Sequence, residues 1–158
     1  MRRHPVDRDP PDPYTYGLHA LGRRELTARQ LRDRLRRRGC DDAAIDAALD
    51  RLRREGALDD ARAARAYART EVAVKRRGPE RIRRALHAMG VDEDAASNAL
   101  ASGFADHPAE DVLEAALARR LRGPVTDRAH EQRLIAYLVR QGFEVAAAAA
   151  AVRRHRQA

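Results

Sequence analysis

The 158-residue sequence holds one cysteine, one lysine, no tryptophan, and only four tyrosines and two phenylalanines. The lone Cys40 allows no disulfide within the chain. Aromatics at 4% leave few large anchors, so a small unit of this composition buries little alone and leans on its neighbours. No apolar run reaches the ~20 residues that a transmembrane helix needs. No apolar stretch follows Met1-Arg2-Arg3-His4-Pro5, so this start does not read as a secretory signal. A cytoplasmic protein without a membrane segment is expected. Sites of chemistry are missing too. Neither GxxxxGK[ST] nor GxSxG occurs. The six histidines (His4, His19, His87, His107, His130, His155) are scattered, with no pair at metal-ligand spacing. We therefore expect no cofactor, no metal, no catalytic residues and no enzyme.

What is present is repetition. Leu31/Leu35/Gly39, Ile82/Leu86/Gly90 and Leu134/Leu138/Gly142 share one spacing, and the copies are offset by 51 and then 52 residues. Each triple reads as a short amphipathic helix ended by glycine. Positions further on align as well: Ile45 with Ala96 and Ala148, and Leu49 with Leu100 and Val152. No segment alternates like a strand. The expected fold is all-α, an elongated array of three tandem three-helix repeats.

Punctuation sets the boundaries. Residues 1–13 carry four prolines and read as a disordered tail. Repeat 1 spans 14–57, where Thr27 and Gln30 form a capping box and Asp41 or Asp42 caps the third helix. Repeat 2 spans 58–104, with Tyr67 and Val74 in its first helix and the Gly78-Pro79 break before its second. Gly103 to Pro108 reads as a linker. Repeat 3 spans 109–155, and its alanine-rich last helix is expected to be the most loosely held. Cys40 aligns with Val91 and Phe143, which marks it as a small core residue rather than a reactive thiol.

Charge is the other signal: the net charge is +8. Residues 22–40 hold eight arginines against Glu25 and Asp33, whereas residues 41–60 hold seven acids against three arginines. Residues 72–87 are basic again. On a helical wheel Arg29, Arg32 and Arg36 point away from Leu31 and Leu35. Lys75, Arg76, Arg77, Arg81, Arg83 and Arg84 surround the second copy. These nine residues are the candidate contacts for an anionic partner, protein or DNA. The alternative is that the acidic helices beside them simply offset their charge. The third copy has Ile135 and Val139 at the outward positions, consistent either with a partner contact or with packing inside the chain.

Several linked motifs resemble the RecX family of bacterial regulatory proteins. They begin at Ala20-Leu21-Gly22-Arg23-Arg24-Glu25-Leu26-Thr27 and are clearest at Leu52-x-x-x-Gly56-Ala57-Leu58-Asp59-Asp60. Tyr67-Ala68-Arg69 and Lys75-x-x-Gly78-Pro79-x-Arg81-Ile82 follow. The resemblance covers roughly residues 16–101 with specific motifs. It implies a non-enzymatic module, a monomer, that binds the RecA recombinase on its DNA-bound filament and restrains it in DNA repair, recombination and the SOS response. The rival reading is a direct DNA-binding or nucleoid-associated helical protein. The resemblance supplies no contact residues; the nine cations rest on charge placement alone.

Overall fold

The computed structural model describes residues 9–157. Most of the expected proline-rich tail, residues 1–8, lies outside the described residues. Nine helices and no strand occur among the described residues: α1 Pro13–Arg23, α2 Ala28–Arg36, α3 Asp42–Arg54, α4 Asp60–Ala73, α5 Pro79–Ala88, α6 Glu93–Phe104, α7 Ala109–Ala118, α8 Arg128–Gln141 and α9 Val145–Gln157. The fold is an all-α repeat array.

The repetition extends to backbone hydrogen bonds. Gly39, Gly90 and Gly142 all take positive φ, at 84°, 84° and 99°. In each copy the next residue donates its N–H five residues back: Cys40 to Leu35, Val91 to Leu86 and Phe143 to Leu138. This closes the helix on its own last carbonyls, and only glycine takes the left-handed turn without strain. The starts are repeated less strictly. Asp41 accepts from the Ala44 amide and Asp92 from the Ala95 amide, so α3 and α6 share a carboxylate cap. The Thr27–Gln30 capping box at the start of α2 is present in full.

The chain divides into two compact units, one ending at Ala63 and the other beginning at Ala64. In the first, Leu26, Leu31, Leu35, Ile45, Leu49 and Leu52 are almost wholly buried. Gly17 lets α1 lie close over them, since a Cβ there would meet Leu52 Cδ1 at 2.6 Å. The Gly56-Ala57-Leu58-Asp59-Asp60 corner is a structural joint. The Ala57 and Leu58 amides donate to the Leu52 carbonyl. Asp59 caps Arg62 at 2.9 Å, and Asp60 Oδ1 accepts from the Ala28 amide at 2.7 Å. Arg62 adds bonds to Glu25 and to the Gly56 and Ala57 carbonyls. Cys40 fits its expected place: it packs against this core, and burial pushes its thiol up from its ordinary value.

In the second unit, residues from α4 to α9 share one core, which includes Val72, Ile82, Leu86, Leu117 and Leu138. Three expectations are corrected here. Val74 falls just beyond α4 and is 62% exposed. Gly103 belongs to α6 rather than to a linker; it is buried, and a Cβ there would crowd Ala68 at 3.2 Å. The alanine-rich α9 is not loosely held, because Ala148, Ala151 and Val152 are fully buried. Small side chains bury little area each, but they let a helix approach its neighbours closely, so contact density replaces bulk.

Candidate functional site

The nine candidate cations lie on α2, on α5 and in the stretch just before α5, and most are tied down. In the first unit Arg32 reaches Asp46 on α3 at 2.5 Å. Arg36 grips Asp42 with two bonds, at 2.7 and 3.1 Å. That fork raises the Arg36 pKa above its ordinary value and holds the Asp42 carboxyl below the usual range. The same clamp recurs 51 residues on, between α5 and α6. Arg83, the counterpart of Arg32, pairs with Glu93 and reaches Ser97 Oγ at 3.4 Å. His87, the counterpart of Arg36, meets Glu93 at 2.9 Å. In the third copy the corresponding positions are Ile135, Val139, Val145 and Ala149. Ile135 and Val139 are half-buried and pack against the second core. The ionic clamp has no counterpart here: Val145 is 60% exposed, and Ile135 and Val139 serve packing inside the chain instead.

The stretch from Lys75 to Arg81 is also a joint. Glu71 on α4 is only 2% exposed, and a buried carboxylate requires partners. Lys75 Nζ supplies one at 2.5 Å, and Arg77 Nε lies 3.6 Å from its second oxygen. Arg76 turns the chain with φ 55°. The start of α5 then meets the end of α8. The Gly78 amide donates to the Gln141 carbonyl at 2.9 Å, and the Glu80 amide to the Gly142 carbonyl at 3.1 Å. Arg81 donates to the Arg140 carbonyl at 3.1 Å. Free amides at a helix start and free carbonyls at a helix end satisfy one another here. Gly78 and Gly142 make the approach possible, because a Cβ on Gly78 would strike the Gly142 backbone.

Of the nine candidates, the side chains of Arg29, Arg76 and Arg84 make no hydrogen bond or ion pair among the described residues. The structure does not gather all nine into one site. It points instead to cations outside those nine. Arg23 and Arg24 at the end of α1, Arg34 on α2 and Arg38 in the turn just after it surround a concavity and make no ion pair. Arg34 and Arg38 lie four residues apart on the side turned toward α1, a spacing that could have marked them. Among the described residues no group of three His, Cys, Asp or Glu side chains is placed to hold a metal ion. No described helix is long and apolar enough to cross a membrane.

Comparison with known proteins adds an identity to this geometry. Residues 14–52 match the family model described as RecX, first three-helix domain, and residues 59–100 match RecX, second three-helix domain. The chain is 36% identical over 138 residues to a regulatory protein RecX of Halorhodospira halophila, covering 85% of this chain and 84% of that one. It is 37% identical to a counterpart in Xanthomonas campestris, covering 84% and 80%. A crystal structure of RecX from Lactobacillus salivarius superposes with a TM-score of 0.72 at 17% identity, covering 92% of this chain and 96% of that one. At that identity the superposition speaks for the fold.

Proposed function

The chain belongs to the RecX family of regulatory proteins, and on that premise we propose that it binds the RecA recombinase on its DNA-bound filament and restrains the filament in repair and recombination. The observation that carries this reading is the match to both RecX domains in order, across more than half the chain. Such regulation requires no covalent chemistry. A protein that binds one filament state more tightly than another shifts the balance between them. The work belongs in the cytoplasm, and a monomer with three repeats, 14–57, 58–104 and 109–155, is sufficient for it.

The contact residues proposed from charge divide by their partners. Lys75, Arg77, Arg81, Arg83, Arg32 and Arg36 already hold the fold, so their loss weakens binding through the scaffold. Arg29, Arg76 and Arg84 are free to meet a partner. The test replaces Arg29→Glu and Arg84→Glu together and follows the DNA-dependent ATPase and strand exchange of the recombinase. Two charge contacts of ~0.7 kcal/mol each weaken inhibition about tenfold. Full inhibition by a folded double variant removes these residues from the interface. A wild-type chain that leaves filaments unaffected removes the regulatory reading itself.

A further inference from the structure

Each unit carries one concavity whose wall is basic and holds no carboxylate. In the first unit it lies between α1 and α2, has a volume of about 360 Å³, and is lined by Tyr16, His19, Arg23, Arg24, Arg34 and Arg38. In the second it lies beside α8, just past the end of α7, has a volume of about 390 Å³, and is lined by Arg120, His130, Arg133, Tyr137 and Arg140 among others. Each combines a tyrosine, a histidine and at least three arginines. In each, one guanidinium lies over the tyrosine ring: Arg38 at 4.7 Å from the Tyr16 centroid and Arg120 at 5.6 Å from that of Tyr137.

What marks these arginines is that several converge on one concavity without a carboxylate among them. Arg32, Arg36, Arg51, Arg53 and Arg62 in the first unit all make ion pairs. None of the groove arginines does; Arg133 only lies within electrostatic reach of Asp127. Clustering like charges without a counter-charge costs repulsion that the fold does not require. The middle copy shows that it is not required. Fifty-one residues on from Arg23, Arg24, Arg34 and Arg38 stand Val74, Lys75, Ala85 and Met89. There Lys75 is neutralised by Glu71 and Met89 packs against the core.

We propose that these two grooves are seats for the phosphodiester backbone of a nucleic-acid strand, one in each unit. A guanidinium held over a tyrosine ring without a carboxylate partner keeps N–H groups free, and these match phosphate oxygens in pairs. Several uncompensated cations in one concavity suit a partner whose charges recur every few ångströms without interruption, as phosphates do along a strand. A protein surface, with mixed signs, meets that demand less well. The proposal deepens the regulatory reading by giving the DNA of the filament its own sites on this chain.

The test uses the full chain and a labelled single-stranded oligonucleotide, with no recombinase, and follows anisotropy across a salt series. One variant carries Arg23→Gln with Arg34→Gln, and another Arg133→Gln with Arg140→Gln. A third, Arg53→Gln with Arg156→Gln, removes equal charge from arginines already paired with carboxylates. Each groove variant lowers the log–log salt slope by about 1.4, or 0.7 for each lost phosphate contact, and weakens binding about tenfold at low salt. The third variant stays within about twofold of wild type. Should a groove pair fail to fold, arginine-selective modification of the wild-type chain replaces it: strand binding then protects Arg23, Arg24 and Arg34 but not Arg53. Wild-type slope and affinity in folded groove variants, or absence of protection, overturns the proposal. So does a groove variant that holds the strand normally yet loses its grip on recombinase protein, since that outcome assigns the grooves to an acidic protein surface. A parallel filament ATPase measurement keeps failure of the regulatory reading separate, because the free-strand arm contains no recombinase.

Discussion

Replacing Gly142 by alanine tests the joint between α8 and α5. Gly142 sits at φ 99°, and a Cβ there would lie 2.5 Å from both Cβ and N of Arg81 and 3.0 Å from its Cα. A left-handed conformation costs an L-residue about 1–2 kcal/mol. The clash is with backbone, so no rotamer change relieves it and α5 must move off α8. That movement breaks the Gly78–Gln141 and Glu80–Gly142 hydrogen bonds, at about 1 kcal/mol each. The total is about 3–4 kcal/mol. Gly123→Ala is the control: φ is 117°, but nothing lies within 4 Å, so only the conformational cost of about 1–2 kcal/mol applies. Hydrogen–deuterium exchange of the α5 and α8 amides should accelerate about a hundredfold or more in Gly142→Ala. The acceleration in Gly123→Ala should be much smaller, and α2 and α3, which pack on the other core, should keep wild-type rates. Equal effects of the two substitutions on α5 and α8 would refute the tight helix junction.

Three further outcomes follow from named contacts. Lys75→Met leaves the buried Glu71 with only the distant Arg77, and destabilises the second unit by about 1–3 kcal/mol in urea melts; adding Glu71→Gln should restore most of it. Thr27→Ala removes one half of the α2 capping box and costs about 1 kcal/mol, read as faster exchange at the Gln30 amide. For Glu114, burial pushes the carboxyl up, but hydrogen bonds from His155 and Arg154 outweigh it and hold the group below its ordinary value of 4.5. Its contribution is therefore present above about pH 4.5 and fades as the pH falls through the lower folded value. Glu114→Gln should flatten that acid limb in melts from pH 6 to pH 2, and a limb unchanged in slope would refute the assignment.

Much of the site question turned on which arginines are already occupied. The wheel placed Arg32, Arg36 and Arg83 on outer faces correctly, yet it carries no information about the next helix. Asp46, Asp42 and Glu93 reach across from α3 and α6 and take those charges. Arg38 shows the converse. A helical wheel puts it near the core side, yet in the fold it lines a groove against α1. The acidic helices were legible as an offset to the basic ones, but which residues they would offset was not.

The sequence by itself determined the helical repeat. Its signals are local: apolar residues four apart, a glycine that must turn left-handed, a carboxylate or threonine immediately before a helix. Each acts within about five residues; the apolar pair and the glycine recur in all three copies, and the carboxylate cap of α3 recurs at α6. The tertiary structure alone decided that α4 to α9 share one core, that alanine-rich α9 buries Ala148, Ala151 and Val152 in it completely, and that Lys75 and Arg81 brace a joint. It also decided which cations remain free. A charge is spent or available according to what lies within about 4 Å of it, and those neighbours come from helices distant in sequence.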